Sequence, residues 1–476
     1  MKTYFRYILV LTFAVFPVTG CNLEEEVFSE LTEDTLFSSD SGITTIINEA
    51  YANAHLPYYG GGGARFYFSA MTSGESWNEG GGVANLLTPL TNFTFDSSLI
   101  WFNNYWEIAY RAIRDANLLI DKLNDENDPN GILKGEVQFI RAISYYHLNN
   151  AFGAVPLYQT PDDDLFLVKS ASQDVKDFIE NDLINAAAVL PNKQNVYGRA
   201  TKGAALGLLC KLYLNFKDWE KSATIAREII ASGDYSLQEN YADAFSLANE
   251  GNNELLWVLT RTANGAVGNT GAAQYINAHT FPTDFPLLPN QSVYAAKTYF
   301  FDVFVNSFEP GDTRRDMIIT EYTNINGEFI QLLGSNKSLS LKYEFDPNAN
   351  GPGGGNDFPV VRYSDILLSL SEALNEINGP NQESIDLINQ VRNRAGASSL
   401  SLGSFPSKEA LRDKIMQERE LEFYAEALSR EDQIRAGTFI EKATARGKIV
   451  DTHHLLFPIP LSEISRNPNL EQNPGY

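Results

Sequence analysis

The chain has 476 residues, long enough for about three average domains or one large composite domain. Hydrophobic residues make up 43% and charged residues 20%, a globular composition that excludes disorder along the whole chain. Acidic residues outnumber basic ones by 60 to 36, and the formal net charge of −24 argues against nucleic acid as a partner. The two cysteines exclude a disulfide-rich scaffold and a cysteine-based zinc framework.

Residues 1–20 have the pattern of a secretory signal. Lys2 and Arg6 precede an apolar run that ends at Phe16, and this run is shorter than the roughly 20 residues needed to span a bilayer. The exit sequence Val-Thr-Gly-Cys, ending at Cys21, resembles the bacterial lipoprotein box, in which the cysteine becomes the lipid-bearing first residue of the mature protein. The resemblance implies lipidation at Cys21 and attachment to the membrane through lipid alone.

Removal of this signal takes away two basic residues and no acidic ones, which changes the formal charge from −24 to −26. If Cys21 is acylated, Cys210 is the one free thiol, and its apolar surroundings predict a buried packing role. The acidic run Glu24–Glu26 resembles the signal that sends Bacteroidetes lipoproteins to the outer leaflet of the outer membrane. A solvated acidic linker is an equally good interpretation of this run.

Helical periodicity dominates the first half of the chain. Apolar residues at helical spacing predict a helix over 101–123, and a second helix follows that ends before Gly153 and Pro156. Another helix is predicted over 173–190. The stretch 200–232 predicts two helices with small residues where they cross, which is typical of a tetratricopeptide-type unit. One such unit cannot bury its own apolar face, so several must stack.

The second half of the chain differs from the first in composition. Residues 234–360 are rich in Gly, Asn, Pro and Thr, which predicts long loops with short strands such as 255–259. Another helix pair is predicted over 364–377 and 383–394. The predicted fold is mainly α, with stacked tetratricopeptide-like helix pairs as the scaffold and long irregular loop and short-strand excursions. After the signal, we divide the chain into a helical region (21–233) and a loop-rich and C-terminal region (234–476) that forms one compact unit with it.

Several motifs resemble those of the RagB/SusD family. In the C-terminal third they are Arg-Tyr-Ser-Asp from Arg362, Glu-Arg-Glu-Leu-Glu from Glu418, and Phe-Pro-Ile-Pro from Phe457 with the closing Asn-Pro-Gly-Tyr. Two mid-chain segments resemble that family as well, and the similarity runs in order over essentially the whole mature chain. Ala427 stands where the family usually has glycine, and Ala436 where it has an aromatic residue; both departures predict local repacking.

The resemblance implies a surface lipoprotein that captures an oligo- or polysaccharide and delivers it to a SusC-like TonB-dependent transporter. It implies an outer-membrane location, with a lipid anchor and the body facing the cell exterior. It implies no cofactor. A helical-repeat protein-interaction scaffold without a sugar site stays open as an alternative, and so does a glycoside hydrolase.

The sequence offers no convincing catalytic group. Neither a Gly-x-Ser-x-Gly elbow nor a Walker box is present, and the five histidines are scattered. His453 and His454 adjoin a strand-like apolar segment, and neighbouring side chains of a strand point to opposite faces. We therefore expect these two histidines not to share a metal ion, and we predict no enzyme activity and no metal site.

A sugar site needs aromatic platforms for the ring faces and polar groups for the hydroxyls. The glycine-rich segment 73–82 predicts a flexible loop that offers both. The family resemblance implies that Trp77 stacks on the sugar and that Asn78 contacts it, with Glu75 as a hydroxyl partner. Anchoring of the loop on the body is an equally good role for Trp77.

Further aromatic residues are candidates for an arc opposite Trp77. Each of them, taken alone, is also explained by packing. These residues are Tyr58, Tyr59, Phe281, Phe285 and Tyr294.

Overall fold

The structure is a computed structural model that describes residues 37, 39–55, 65–263, 273–294 and 297–476. The predicted signal, the lipidation residue Cys21, and Tyr58 and Tyr59 lie outside the described residues. The α-helices are, in chain order, α1 (Asp40–His55), α2 (Arg65–Ser73), α3 (Ala84–Asn92), α4 (Ile100–Lys122), α5 (Ile132–Phe152), α6 (Ser172–Val189), α7 (Lys202–Asn215), α8 (Trp219–Ser232), α9 (Ile276–Thr280), α10 (Asp302–Val305), α11 (Tyr363–Asn378), α12 (Gln382–Arg394), α13 (Lys408–Phe423), α14 (Ser429–Ala436), α15 (Phe439–Ala445) and α16 (Leu461–Arg466).

The strands are short and pair in twos. They are β1 (Ser76–Asn78), β2 (Leu255–Leu259), β3 (Thr298–Phe300), β4 (Ile318–Ile319), β5 (Glu321–Thr323), β6 (Phe329–Gln331), β7 (Leu339–Ser340) and β8 (Phe358–Arg362). All four pairs, β1–β3, β2–β8, β4–β7 and β5–β6, are antiparallel. The prediction of a mainly α fold with short-strand excursions is confirmed.

The long helices form a continuous row. Helix α1 packs against α4, and α4 packs on α5, α5 on α6, α6 on α7 and α7 on α8. The row continues from α8 to α11, which packs in turn on α12 and α13. Two neighbouring helices share one apolar seam, so each pair needs the next one to cover its outer face. Among the described residues, none of the helices combines the length and apolar character that crossing a bilayer requires.

Local sequence explains the ends of several helices. The side chains of Thr201, Asn381 and Ser407 cap α7, α12 and α13 by accepting a hydrogen bond from a backbone N–H three residues further on. Helix α8 ends at Gly233, which has a φ of 72° in the left-handed region. Gly207 serves close packing, because a Cβ there would lie 2.8 Å from the Val361 side chain on β8.

The apolar interior has two parts. The main cluster runs through the helical row and includes Cys210, whose side chain is buried as predicted. A smaller cluster lies among the excursions and consists of Phe281, Tyr299, Leu332 and Leu339. Strand β1, from the first half of the chain, pairs with β3 of the second half and packs Trp77 against this smaller cluster.

Buried charges fill part of the C-terminal half. Arg362 is 1% exposed and donates to Glu254 at 2.7 Å, to Glu422 at 2.6 Å and to Glu426 at 2.7 Å. Glu422 is fully buried and also binds Arg314 at 3.1 Å. The arginines hold the pKa of Glu422 well below its usual range, against the effect of burial. We call this group, together with Lys342 and Arg394, the buried ion network.

Lys342 contributes the ammonium group of this network. Its Nζ donates to the carbonyl oxygens of Tyr424 at 2.7 Å and Glu422 at 3.1 Å, and it also pairs with Glu426. Burial lowers its pKa to about 8. The family-like motifs that start at Arg362 and Glu418 therefore contribute Arg362 and Glu422 to this interior.

Ala427 keeps a backbone conformation that suits glycine. Its φ is 64°, and that of Ala425 is 58°, so both residues lie in the left-handed region. An L-residue with a Cβ pays about 1–2 kcal/mol there. The alanine at this position thus retains the sharp turn after α13 at a cost in backbone strain.

Candidate functional site

Trp77 lies on a strand, whereas the sequence predicted a flexible loop. Strand β1 places it opposite Tyr299 of β3, and the centroids of the two rings lie 5.6 Å apart. The indole Nε1 donates a hydrogen bond to the carbonyl oxygen of Asn336 at 2.7 Å. Of the two roles open to Trp77, the structure gives direct contacts for the anchoring role.

The residues beside Trp77 are also tied down. Asn78 Nδ2 donates to the carbonyl oxygen of Lys297 at 3.4 Å, and its Oδ1 accepts from the Gly80 N–H at 3.1 Å. Glu79 pairs with Lys337, and this contact lowers the pKa of the Glu79 carboxyl. Asn78 is partly exposed, so it is the polar group of the predicted set that solvent reaches.

Two of the predicted site residues are interior. Glu75 is 4% exposed, and its carboxylate accepts from the Ala425 N–H at 3.0 Å and from the Ser429 hydroxyl. Burial raises the pKa of Glu75. Phe281 is fully buried, and its ring centroid lies 4.6 Å from that of Phe285. Neither side chain can reach a sugar, so the prediction that Glu75 and Phe281 contact a ligand is wrong.

Tyr294 is at the surface, and it belongs to a row of rings. It is 42% exposed, and its ring centroid lies 4.9 Å from that of His279 and 6.4 Å from that of Tyr275. His279 lies 5.9 Å from Tyr67 in an edge-to-face contact. Tyr67 stacks on Trp101 at 5.4 Å with 19° between the planes. We call these five residues the aromatic arc.

The arc presents both apolar and polar surface. Trp101, Tyr275 and His279 are partly exposed, while Tyr67 is buried beneath them. Burial lowers the pKa of His279 to about 4, so its imidazole is neutral at pH 7. Within the described part of the chain, Nδ1 of His279 has no hydrogen-bond partner. This nitrogen is itself buried, so what the arc presents to solvent is mainly the ring faces of Tyr294, Tyr275 and Trp101.

Short structural elements hold the arc in place. Tyr67 lies in α2, Trp101 in the first turn of α4, and His279 in α9. The backbone N–H of Tyr294 donates to the Ala278 carbonyl at 2.7 Å, which fixes its loop against α9. The apolar periodicity of α4 predicted that Trp101 packs in the core. In the first turn of a helix, periodicity alone does not distinguish a residue that faces the core from one that faces a surface groove.

A second concave surface lies between α4, the segment 156–166 and α16. It has a volume of about 600 Å³, and Trp106, Tyr110 and Tyr158 contribute its aromatic lining. The Tyr110 hydroxyl donates to the Pro156 carbonyl at 2.8 Å, and Trp106 is 3% exposed. Phe166 also lines this surface and is 46% exposed, so this surface, like the arc, presents aromatic rings to solvent.

His453 and His454 are closer together than the sequence predicted. They lie in a 3-10 turn (Thr452–Leu455), and their ring centroids are 3.8 Å apart. The prediction that they diverge is wrong, because it assumed a strand. The donor atoms of Asp451, His453 and His454 all lie within 4.8 Å of one another.

Comparisons with known proteins decide the family. A model described as "SusD family" matches residues 334–476, and a model described as "Starch-binding associating with outer membrane" matches residues 23–214. Together they cover more than half of the chain. The chain belongs to the RagB/SusD family. The family resemblance seen in the C-terminal and mid-chain motifs is thereby confirmed.

Individual members of the family are similar over nearly the full length. SusD-like protein P25 of Formosa agariphila is 25% identical, with 98% of this chain and 99% of that protein covered. The starch-binding protein SusD of Bacteroides thetaiotaomicron is 24% identical over 78% of each chain. The solved structure of a laminarin-binding SusD-like protein has the same fold, with a TM-score of 0.79 at 23% identity over 92% of this chain and 100% of that one.

Proposed function

We propose that this SusD-family chain is a surface glycan-binding lipoprotein and that the aromatic arc holds the glycan. The observation that carries the proposal is the row of rings from Trp101 to Tyr294, in which four of the five members reach solvent. Named relatives that bind starch or laminarin support a glycan as the ligand class.

Binding on the arc is reversible and needs no covalent step. The C–H faces of successive sugar rings pack on the exposed faces of Tyr294, Tyr275 and Trp101 and displace water from them. Because no charged group is required, the affinity should depend weakly on salt.

The proposal includes the cellular setting that the family implies. Lipid on Cys21 tethers the chain to the outer membrane with its body facing the exterior, and a SusC-like TonB-dependent transporter receives the glycan. The outer-membrane wording of the matching family model supports this location. Trp77 and Asn78 lie on β1 and are not members of the arc, and their contact with the glycan stays a prediction.

The test is a binding measurement with matched variants. The mature chain is screened on an array of soluble oligosaccharides that includes laminarin- and starch-derived hexasaccharides, and the best ligand is measured by calorimetry. We expect Tyr294→Ala and Trp101→Ala each to weaken binding about tenfold, the equivalent of about 1.4 kcal/mol. Phe329→Ala and Trp219→Ala serve as controls, because Phe329 is 63% exposed and Trp219 is partly exposed, and neither belongs to the arc.

Four outcomes contradict the proposal. Full affinity in both arc variants places the ligand elsewhere, and a selective loss in Tyr158→Ala places it in the concave surface beside α4. Failure of the parent chain to bind any glycan favours the protein-interaction scaffold. Release of shortened products from a bound glycan over time favours a hydrolase.

A further inference from the structure

The 3-10 turn near the C-terminus brings three metal-binding groups together. The Asp451 carboxylate caps the turn by accepting a hydrogen bond from the His453 backbone N–H at 3.1 Å. Its Oδ1 contacts Nδ1 of His453 and lies 3.8 Å from Nδ1 of His454. Two imidazoles and one carboxylate thus converge from four consecutive residues.

The three donor atoms lie within 4.8 Å of one another, so side-chain movements would bring them to the spacing that a single ion requires. A metal bound to imidazole nitrogen and carboxylate oxygen at about 2.0–2.2 Å sets its donors about 3 Å apart. The close contact between Asp451 and His453 would lengthen, and the 3.8 Å separation between Asp451 and His454 would shorten, each by about 1 Å or less. Asp451 is 69% exposed, which gives the ion access from solvent.

Packing holds the two rings in this arrangement. His454 makes edge-to-face contacts with Phe93 at 5.4 Å and Phe95 at 5.7 Å, and its ring forms a hydrogen bond with the Phe93 backbone. A backbone hydrogen bond on one ring nitrogen is the usual support of a metal-binding histidine, since it fixes the orientation of the other nitrogen. Tyr476 packs edge to face on His453 at 4.8 Å.

The contacts that would compete with a bound ion are either weak or made to main-chain atoms. The Asp451 backbone N–H donates to Nδ1 of His454 at 3.2 Å, and an ion would replace this one long hydrogen bond. Arg430 is the cation that contacts the turn, and it does so by donating to the carbonyl oxygens of His454 and Leu455. Its charge is thereby directed at the main chain and away from the three side-chain donors.

We propose that Asp451, His453 and His454 bind one divalent transition-metal ion. Imidazole with one carboxylate selects ions such as Zn²⁺, Ni²⁺ and Cu²⁺ over Ca²⁺ and Mg²⁺. The ion would also hold down the end of the chain, because Gly475 approaches so closely that a Cβ there would lie 2.6 Å from Cβ of His453. The site is separate in composition from the aromatic arc and does not depend on glycan binding.

The test is a titration of the untagged mature chain, freed of metal with EDTA, with ZnCl₂ in a calorimeter. We expect one Zn²⁺ per chain and at least tenfold weaker binding in His453→Ala and in Asp451→Asn. Both substitutions fall on the more exposed side of the turn, so the fold is retained. His279→Ala is the matched control, since it removes a partly exposed imidazole elsewhere and should leave Zn²⁺ binding unchanged.

A second measurement gives an independent readout. Zn²⁺ should raise the melting temperature of the parent chain and of His279→Ala but not of His453→Ala, and CaCl₂ should raise none of them. Equal Zn²⁺ affinity in all variants, or no stoichiometric binding by the parent, would overturn the proposal. Glycan binding plays no part in this experiment, so its result is independent of the proposed function.

Discussion

The buried ion network and the aromatic arc use side chains in opposite ways. In the network, Arg362 and Glu422 are each at most 1% exposed and every charge is met by another. In the arc, Trp101 of α4, His279 of α9, and Tyr275 and Tyr294 leave part of their ring faces to solvent. Polar groups that are paired inside the protein help to specify its fold. Ring surface that no other residue covers is available to a ligand.

The comparison shows why motif residues and site residues differ. Two of the motifs that identify the family contribute Arg362 and Glu422 to the network, where the loss of either would leave a buried charge unpaired. The arc consists of aromatic rings and one neutral imidazole, so substitutions in it leave no buried charge unpaired. Recognition of the family therefore says more about the C-terminal interior than about the ligand.

The largest expected effect follows from breaking the network. Arg362→Ala leaves Glu254, Glu422 and Glu426 without their shared partner, and we expect the free energy of unfolding to fall by about 4 kcal/mol, as for other broken buried pairs. Chemical denaturation measures this loss. Arg227→Ala is the control: its pair with Glu383 has both side chains 52% exposed, and its removal should cost about 0.5 kcal/mol.

A loss in Arg362→Ala no larger than that in Arg227→Ala would mean that the network is not the stabilising element described above. If Arg362→Ala does not fold, Glu254→Gln provides the milder test. It keeps the shape of the side chain and removes one charge that Arg362 and Arg394 share.

An intermediate effect is expected at Trp77, which lies between the two kinds of region. Trp77→Phe keeps a ring against Tyr299 and removes the hydrogen bond to the Asn336 carbonyl, so stability should fall by about 1 kcal/mol. Affinity for the best glycan should stay within about twofold, a change of about 0.4 kcal/mol. Trp219→Phe controls for the change of ring size. A tenfold loss of affinity would indicate that Trp77 contacts the glycan.

The smallest effect concerns the backbone of the turn after α13. Ala427→Gly relieves the left-handed φ of 64° but removes a buried methyl group and adds freedom to the unfolded chain. Ala223→Gly, a buried position inside α8, loses the methyl and gains the same freedom without the relief. We expect Ala427→Gly to be more stable than Ala223→Gly by about 1 kcal/mol. Equal losses would show that the turn is not strained.

Local patterns predicted the scaffold well. The helix predicted over 101–123 is Ile100–Lys122 in the structure, and the helix predicted over 173–190 is Ser172–Val189. Apolar periodicity and terminators act within a few residues, so the sequence contains them directly. The strand predicted over 255–259 was also confirmed, although its pairing with β8 was not predicted.

The site was predicted less well, because distant contacts decide it. Glu75 follows a glycine, and the local sequence therefore predicts a loop residue. Its hydrogen-bond partners Ala425 and Ser429 lie about 350 residues further along the chain. Tyr294 was predicted and belongs to the arc, but its neighbour His279 was not, since a histidine in a loop-rich stretch carries no periodic signal. Tyr58 and Tyr59 remain predictions.

The division of the interior into two clusters bears on how a bound glycan leaves. Tyr67 and Trp101 belong to the helical row, whereas Tyr275, His279 and Tyr294 lie in a segment that contributes Ile276 to the main cluster and Phe281, Phe285 and Val293 to the smaller one. A small cluster opens locally at a lower free energy than a large one. Such opening would separate the two halves of the platform while the helices stay folded. The stability of the excursions would then set an upper limit on how long the glycan is held.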